Sequence, residues 1–139
     1  MAFINIKGIN IFYNPSGRGR PLIFLHAMLY DSGGYNRLIK ILGEKYTIYA
    51  IDMPMHGKSE KPKEYLTISD FTIILREFVR KLGLGTVTLC GHSGGCLVAI
   101  EYASKYQARE LVLIEPAGLR YYKSIPFFLF KLVFVKTPF

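Results

Sequence analysis

The sequence predicts an α/β fold, with a mostly parallel sheet and flanking helices, on three observations. Short apolar runs rich in Val, Ile and Leu alternate along the chain with segments whose apolar residues recur at helical spacing. That alternation is typical of strand–helix–strand units, whose right-handed crossovers build a parallel sheet. Half of the 139 residues are hydrophobic and a fifth are charged, which suits one folded domain with a real core and argues against disorder.

The predicted elements follow from these periodicities in chain order. Two alternating strands meet at Gly8, and a third apolar run leads into His26. The first helix ends at Gly43, and the second begins at the capping-box spacing of Thr67 and Asp70. Strands are predicted at residues 2–7, 9–13, 21–26, 46–51, 86–90 and 110–114, and helices at residues 35–42, 67–82 and 95–106. The sheet is expected to be truncated after its sixth strand.

Four residues with reactive or polar side chains lie directly at or after the ends of predicted strands: His26, Asp52, Ser93 and Glu115. Because the carboxyl ends of parallel strands share one edge of the sheet, we expect these four residues to lie along that edge. Ligands bind at this edge in open α/β sheets, so the sequence predicts the functional site there.

The motif Gly91-His92-Ser93-Gly94-Gly95 has the spacing G-x-S-x-G. This spacing alone is weak evidence, since it occurs by chance in about one chain in twenty of this length. Here an apolar strand precedes it and a helix rich in small residues follows it, which is the context of a nucleophile elbow. Gly91 and Gly95 would leave room where strand and helix pack closely, and the helix would direct its free N–H groups at the serine.

Four stretches together resemble the N-terminal half of the α/β-hydrolase-fold family, which contains esterases, lipases and carbon–carbon bond hydrolases. They are PLIFLHAM, AIDMPMHGKS, CGHSGG and LVLIEPAG, in the family's order and at its usual separations. The resemblance covers residues 1 to about 118. It implies that residues 1–118 are the N-terminal part of the hydrolase core and that residues 119–139 begin the cap, or lid.

The resemblance also implies a serine hydrolase mechanism. Ser93 would attack the carbonyl of a small-molecule substrate with an ester or acyl group, and backbone N–H groups of Met28 and Gly94 would bind the oxyanion. His26 and Ala27 would support the oxyanion loop, which is the loop that carries Met28. The family usually has glycine at the position of Ala27. A serine nucleophile, where some relatives have aspartate, favours ester or carbon–carbon hydrolysis over epoxide chemistry. No cofactor and no metal is expected.

The catalytic base is missing from the motifs. The three histidines, His26, His56 and His92, all precede Ser93, whereas the family order is nucleophile, acid, histidine. We expect His56 to brace its turn with Asp52. Glu115 has two interpretations: it caps the strand end or faces solvent, or it is the catalytic acid and orients a histidine supplied from elsewhere.

Three interpretations of the whole chain remain open. It is a portion of a serine hydrolase, one half of a split enzyme completed by a C-terminal partner chain, or a non-catalytic remnant that binds small molecules. The aromatic, lysine-containing stretch of residues 119–139 is predicted to be the first helix of a lid. Contact of this stretch with a membrane surface is the alternative.

Charge and cysteine content bear on the expected partners and the expected cellular compartment. The formal charge is +8, but the cations are scattered and no nucleic-acid motif accompanies them, so we expect no nucleic-acid partner. Cys90 and Cys96 have no metal-ligand spacing and are expected to be buried packing residues. The N-terminus does not read as a signal peptide, and the low cysteine count suggests a reducing compartment, so we expect a cytoplasmic protein.

Overall fold

A computed structural model of the chain describes residues 1–118 and the backbone of residues 133–136. The strands are β1 (Ala2–Ile6), β2 (Ile9–Gly17), β3 (Arg20–Leu25), β4 (Tyr46–Ile51), β5 (Thr88–His92), β6 (Glu110–Ile114) and β7 (Val133–Lys136). The helices are α1 (Asn36–Leu42), which follows a 3₁₀ turn at Ser32–Tyr35, α2 (Ile68–Lys81) and α3 (Gly94–Lys105).

The strands form one mixed sheet in the order β1-β2-β4-β3-β5-β6-β7. Its centre, β4-β3-β5-β6, is parallel, while β1, β2 and β7 pair antiparallel with their neighbours. The predicted α/β fold with a parallel centre and flanking helices is therefore confirmed. The carboxyl ends of β3, β4, β5 and β6 meet at one edge, as the crossover rule requires.

Two strands differ from the prediction. β2 continues through residues 14–17, which the sequence predicts as a turn, because this part pairs with β4 from Tyr13–Ile51 to Gly17–Thr47. Pro15 fits there because β1 pairs with β2 only as far as Tyr13, so the proline lies in a stretch with a neighbour on one side only.

The second difference is β7, which lies in the stretch predicted as a lid helix. Val133–Lys136 pairs antiparallel with β6, so the sheet continues past the six predicted strands. The sequence Val-Phe-Val is typical of a strand, and its pairing covers the edge that β6 would otherwise present. The remainder of the predicted lid, and the proposed membrane-surface contact, lie outside the described residues.

The core lies on both faces of the sheet. Helices α2 and α3 cover one face and bury an apolar cluster that includes Phe78, Leu89 and Tyr102, whereas α1 covers part of the other face over Phe24 and Ile48. No helix in the described part of the chain has the length and apolar character needed to cross a bilayer.

The start of α2 follows from its capping box. Thr67 Oγ1 accepts a hydrogen bond from Asp70 N at 3.2 Å, and Asp70 Oδ2 accepts one from Thr67 N at 2.8 Å. Two backbone N–H groups at the helix start are thereby satisfied, which fixes where α2 begins beneath the sheet.

Candidate active site at the carboxyl edge of the sheet

Ser93 occupies a strained turn between β5 and α3. Its φ of 49° and ψ of −114° place a non-glycine residue at positive φ, which costs on the order of 1–3 kcal/mol. Three backbone hydrogen bonds hold it there: Ser93 N donates to Ile114 O at 2.9 Å, and Ser93 O accepts from Cys96 N at 3.1 Å and Ala117 N at 3.2 Å. The turn is thus fixed by α3 on one side and by the loop after β6 on the other.

The two glycines flanking the turn are sites of close backbone approach. A Cβ on Gly91 would lie 2.8 Å from the backbone N of Cys96. A Cβ on Gly95 would overlap Leu25 O and lie 2.6 Å from His26 O, so the start of α3 packs directly on the end of β3. Neither position has room for a side chain, which agrees with the tight elbow that the motif predicts.

The expected oxyanion donors lie on adjacent backbone segments. A Cβ built on Gly94 would lie 3.4 Å from Met28 N and would overlap the Met28 side chain. Gly94 is the first residue of α3, whose N–H groups have no partner within the helix. The structure therefore brings the backbone of Met28 together with the helix start beside Ser93.

His26 bridges the loops that follow β3 and β4. Its Nε2 accepts a hydrogen bond from Met53 N at 2.9 Å, and its Nδ1 lies 2.8 Å from Ala27 O. Because Nε2 is an acceptor, the ring is neutral and carries its proton on Nδ1, which donates to Ala27 O. Burial of the ring lowers the pKa of His26, which agrees with a neutral imidazole.

The Ala27 carbonyl sets the direction of the next amide. It accepts hydrogen bonds from His26 Nδ1 and from Tyr30 N at 3.1 Å. In a planar trans peptide the carbonyl and the following N–H point in opposite directions, so fixing Ala27 O also fixes Met28 N–H. The methyl group of Ala27 is accommodated, since the residue is buried and has no positive φ.

Asp52 organises the loop after β4 without a bond to a histidine among the described residues. Its two carboxylate oxygens accept from Ser32 N and Lys58 N, each at 2.8 Å. His56 instead places Nδ1 2.9 Å from Pro54 O, and its ring lies 5.1 Å from the His26 ring. Asp52 and His56 therefore each bond to the backbone of this turn, at Lys58 N and Pro54 O, and not to each other.

His92 lies between two side chains, Tyr35 and Glu115. Tyr35 Oη is 2.8 Å from His92 Nδ1, and the same hydroxyl accepts from Ala27 N at 3.1 Å. On the other side of the ring, Glu115 Oε2 lies 3.8 Å from His92 Nε2. Tyr35 is the site residue that sequence reasoning missed, because its spacing reads as one more apolar residue of α1.

No base is aligned with the serine in the described part of the chain. Each histidine ring is engaged elsewhere: His26 with Ala27 and Met53, His56 with Pro54, and His92 with Tyr35. Within residues 1–118, no side chain forms a hydrogen bond with Ser93 Oγ. The described residues thus bring Ser93, Gly94 and Met28 together without a side chain hydrogen-bonded to the serine hydroxyl.

The two cysteines are packing residues. Both thiols are free and buried, and burial raises the pKa of Cys90 to about 12 and that of Cys96 to about 11. Cys96 Sγ donates to Gly91 O at 3.0 Å, which ties α3 to the end of β5. Thiols with such pKa values are poor nucleophiles at neutral pH.

Comparison with known proteins identifies the family. The family model described as "alpha/beta hydrolase fold" matches residues 20–129, so this chain belongs to the α/β-hydrolase family. The expected membership is confirmed.

Individual relatives are hydrolases of several kinds. The chain is 35% identical over 104 residues to a probable serine hydrolase of Drosophila melanogaster, an alignment that covers 71% of this chain and 31% of that protein. It is 34% identical over 107 residues to a soluble epoxide hydrolase of Corynebacterium sp. strain C12, covering 77% of this chain and 37% of that protein. A bacterial membrane phospholipase A superposes with a TM-score of 0.82 at 26% identity, over 86% of this chain and 40% of the other. The chain thus spans about a third of the length of these curated relatives.

Proposed function

We propose that this chain supplies the nucleophile and the oxyanion-binding elements of a serine hydrolase that acts on an ester or acyl group of a small molecule. The observation that carries the proposal is the conformation of Ser93, a non-glycine residue at φ 49° between β5 and α3. Backbone strain of this kind persists only where surrounding contacts impose it, and it clusters at sites of function.

The proposed reaction proceeds through an acyl-enzyme. Ser93 Oγ attacks the carbonyl carbon and loses its proton to a base, while the carbonyl π electrons move onto oxygen. The oxyanion accepts hydrogen bonds from Gly94 N and Met28 N. As the carbonyl re-forms, the leaving group departs with the proton from the base, and water then releases the acid by the reverse route. The base comes from outside residues 1–118.

The choice of an acyl substrate rests on the side chain at the elbow. A serine nucleophile forms an ester that water cleaves at its carbonyl, and the oxyanion donors stabilise the charge of that step. One relative, 34% identical over 107 residues, is a soluble epoxide hydrolase. Serine at position 93 favours ester or carbon–carbon cleavage over epoxide opening.

The test uses the product of the complete reading frame that contains these 139 codons. We expect a fluorophosphonate probe to label it and short-chain nitrophenyl esters to be hydrolysed. Ser93→Ala should abolish both reactions. Ser104→Ala is the matched control, because this exposed serine lies on α3 and its Oγ bonds only Glu101 O of the same helix among the described residues. Equal labelling of wild type and Ser93→Ala would contradict the proposal.

The second part of the test uses the 139-residue chain alone. We expect no ester turnover from it, because no described side chain forms a hydrogen bond with Ser93 Oγ. Turnover at the rate of the complete product would overturn the claim that the base lies elsewhere. A second candidate function is a small-molecule binding module, which is supported by the absence of an aligned base within residues 1–118. Ligand binding by the complete product without turnover would favour this candidate.

A further inference from the structure

We propose that Tyr35 is a positioning residue for the oxyanion loop, residues 26–28, and that His92 and Glu115 hold it in place. The inference rests on the proposed function of that loop. The supporting observation is that the Tyr35 hydroxyl has two hydrogen-bond partners, Ala27 N at 3.1 Å and His92 Nδ1 at 2.8 Å. These partners lie 8 and 57 residues away along the chain, so the contact links three separate elements.

The directions of the hydrogen bonds follow from the chemistry of the groups. Ala27 N–H can only donate, so Tyr35 Oη accepts from it. The hydroxyl proton is then available to His92 Nδ1, which accepts it when the imidazole is neutral with its proton on Nε2. That Nε2–H faces Glu115 Oε2 at 3.8 Å, and the carboxylate favours this tautomer electrostatically.

The ring of Tyr35 is fixed independently of its hydroxyl. It packs against the fully buried Phe24 at 4.7 Å between centroids and against the His92 ring at 5.7 Å. Partial burial raises the pKa of Tyr35, so the hydroxyl keeps the proton that it donates. A phenylalanine at this position would keep the packing and lose only the two hydrogen bonds.

The consequence for the loop is that both peptides around Ala27 are anchored. Tyr35 fixes Ala27 N, and His26 with Tyr30 fixes Ala27 O. Met28 N–H, the proposed oxyanion donor, belongs to the second of these peptides. Such donors stabilise the oxyanion best when they are oriented before charge develops. A more mobile Ala27 would therefore leave Met28 N–H present but less well oriented.

The first measurement is amide hydrogen exchange by NMR on the 139-residue chain, which requires no catalysis. In Tyr35→Phe we expect the Ala27 amide to exchange roughly tenfold faster, because the hydrogen bond that protects it is gone. Tyr30→Phe is the matched control, since this residue lies on the same loop and its exposed hydroxyl has no hydrogen-bond partner among the described residues. Unchanged Ala27 exchange in a folded Tyr35→Phe chain would overturn the proposal.

Variants of His92 test the remainder of the chain of contacts. Glutamine can accept from Tyr35 Oη through its side-chain oxygen, whereas leucine cannot. We expect His92→Gln to retain the protection of the Ala27 amide and His92→Leu to lose it. The ring ¹⁵N shifts of wild-type His92 should report the Nε2–H tautomer. Equal protection in His92→Gln and His92→Leu, or the Nδ1–H tautomer, would contradict the proposed role of His92.

The last readout uses the complete reading-frame product and separates positioning from substrate binding. In Tyr35→Phe, kcat should fall about tenfold with KM within about twofold, a smaller loss than the ~10²–10³-fold typical when a donor itself is removed. A Tyr35→Phe enzyme with wild-type kcat would overturn the proposal that Tyr35 positions the oxyanion donor for catalysis. If the complete product hydrolyses nothing, the proposed function fails, while the exchange experiment still decides whether Tyr35 orders the loop.

Discussion

His26 Nε2 accepts a hydrogen bond from Met53 N at 2.9 Å, so the loop after β3 is joined to the loop after β4 by a neutral imidazole. The opposite ring nitrogen donates to Ala27 O at 2.8 Å. Protonation would place a second N–H against Met53 N–H and would bury a charge. The link between the two loops therefore depends on the charge state of the ring.

This dependence predicts acid destabilisation. Burial lowers the pKa of His26 in the folded protein, so below the unfolded pKa, about 6.5, the unfolded chain binds the proton that the folded chain resists. The contribution of His26 to stability is complete above that pH and falls as the pH drops toward the lowered folded pKa. Urea unfolding between about pH 8 and pH 5 measures it. His26→Gln should show a shallower decline than wild type across this range, and parallel curves would refute the assignment.

Gly95 should not tolerate a methyl group. Gly95→Ala would press a Cβ against Leu25 O and His26 O, and we expect a loss of about 1–3 kcal/mol or more in the free energy of unfolding. Gly34→Ala is the control, because its Cβ would meet only the Tyr30 ring at 3.6 Å. That variant should remain within about 0.5 kcal/mol of wild type. Chemical denaturation distinguishes them, and similar midpoints for the two variants would count against the close packing of α3 on β3.

The strain at Ser93 should be measurable as stability gained on its release. Ser93→Gly removes the Cβ that makes φ 49° unfavourable, so we expect it to exceed Ser93→Ala in unfolding free energy by about 1 kcal/mol. Both variants lose the hydroxyl, which leaves the backbone as the difference. A glycine variant no more stable than the alanine variant would mean that the turn is not strained.

The buried thiols should be unreactive in the folded protein. At about pH 8 a thiol with an ordinary pKa near 8.5 is partly thiolate, whereas burial raises the pKa of Cys90 to about 12 and that of Cys96 to about 11. We expect iodoacetamide to label neither residue natively and both residues in denaturant, as mass spectrometry would show. Rapid native labelling of either cysteine would contradict its burial.

The fold could be predicted from sequence wherever the signal is local. The spacing of Thr67 and Asp70 predicts the capping box that begins α2, and the small residues after Ser93 predict α3 within one residue of its observed start. The parallel centre follows from the alternation of strands and helices. These features depend on neighbours a few positions apart, which is the range that periodicity and capping rules cover.

Non-local partners account for what sequence reasoning missed. Pro15 and Gly17 are typical turn residues, yet pairing with β4 keeps them in β2. Tyr35 has helical spacing, and nothing near it in sequence indicates hydrogen bonds to Ala27 and His92. In each case tertiary contact outweighs the local preference.

The backbone of Ser93 has one more consequence, which is mechanical. Ser93 N donates to Ile114 O and Ser93 O accepts from Ala117 N, so residue 117 lies one hydrogen bond away from Ser93. A force applied to the main chain at Gly118 would therefore reach Ser93 through main-chain hydrogen bonds. Side-chain replacements in the loop after β6 leave these main-chain donors and acceptors in place, so they would not break this connection to Ser93.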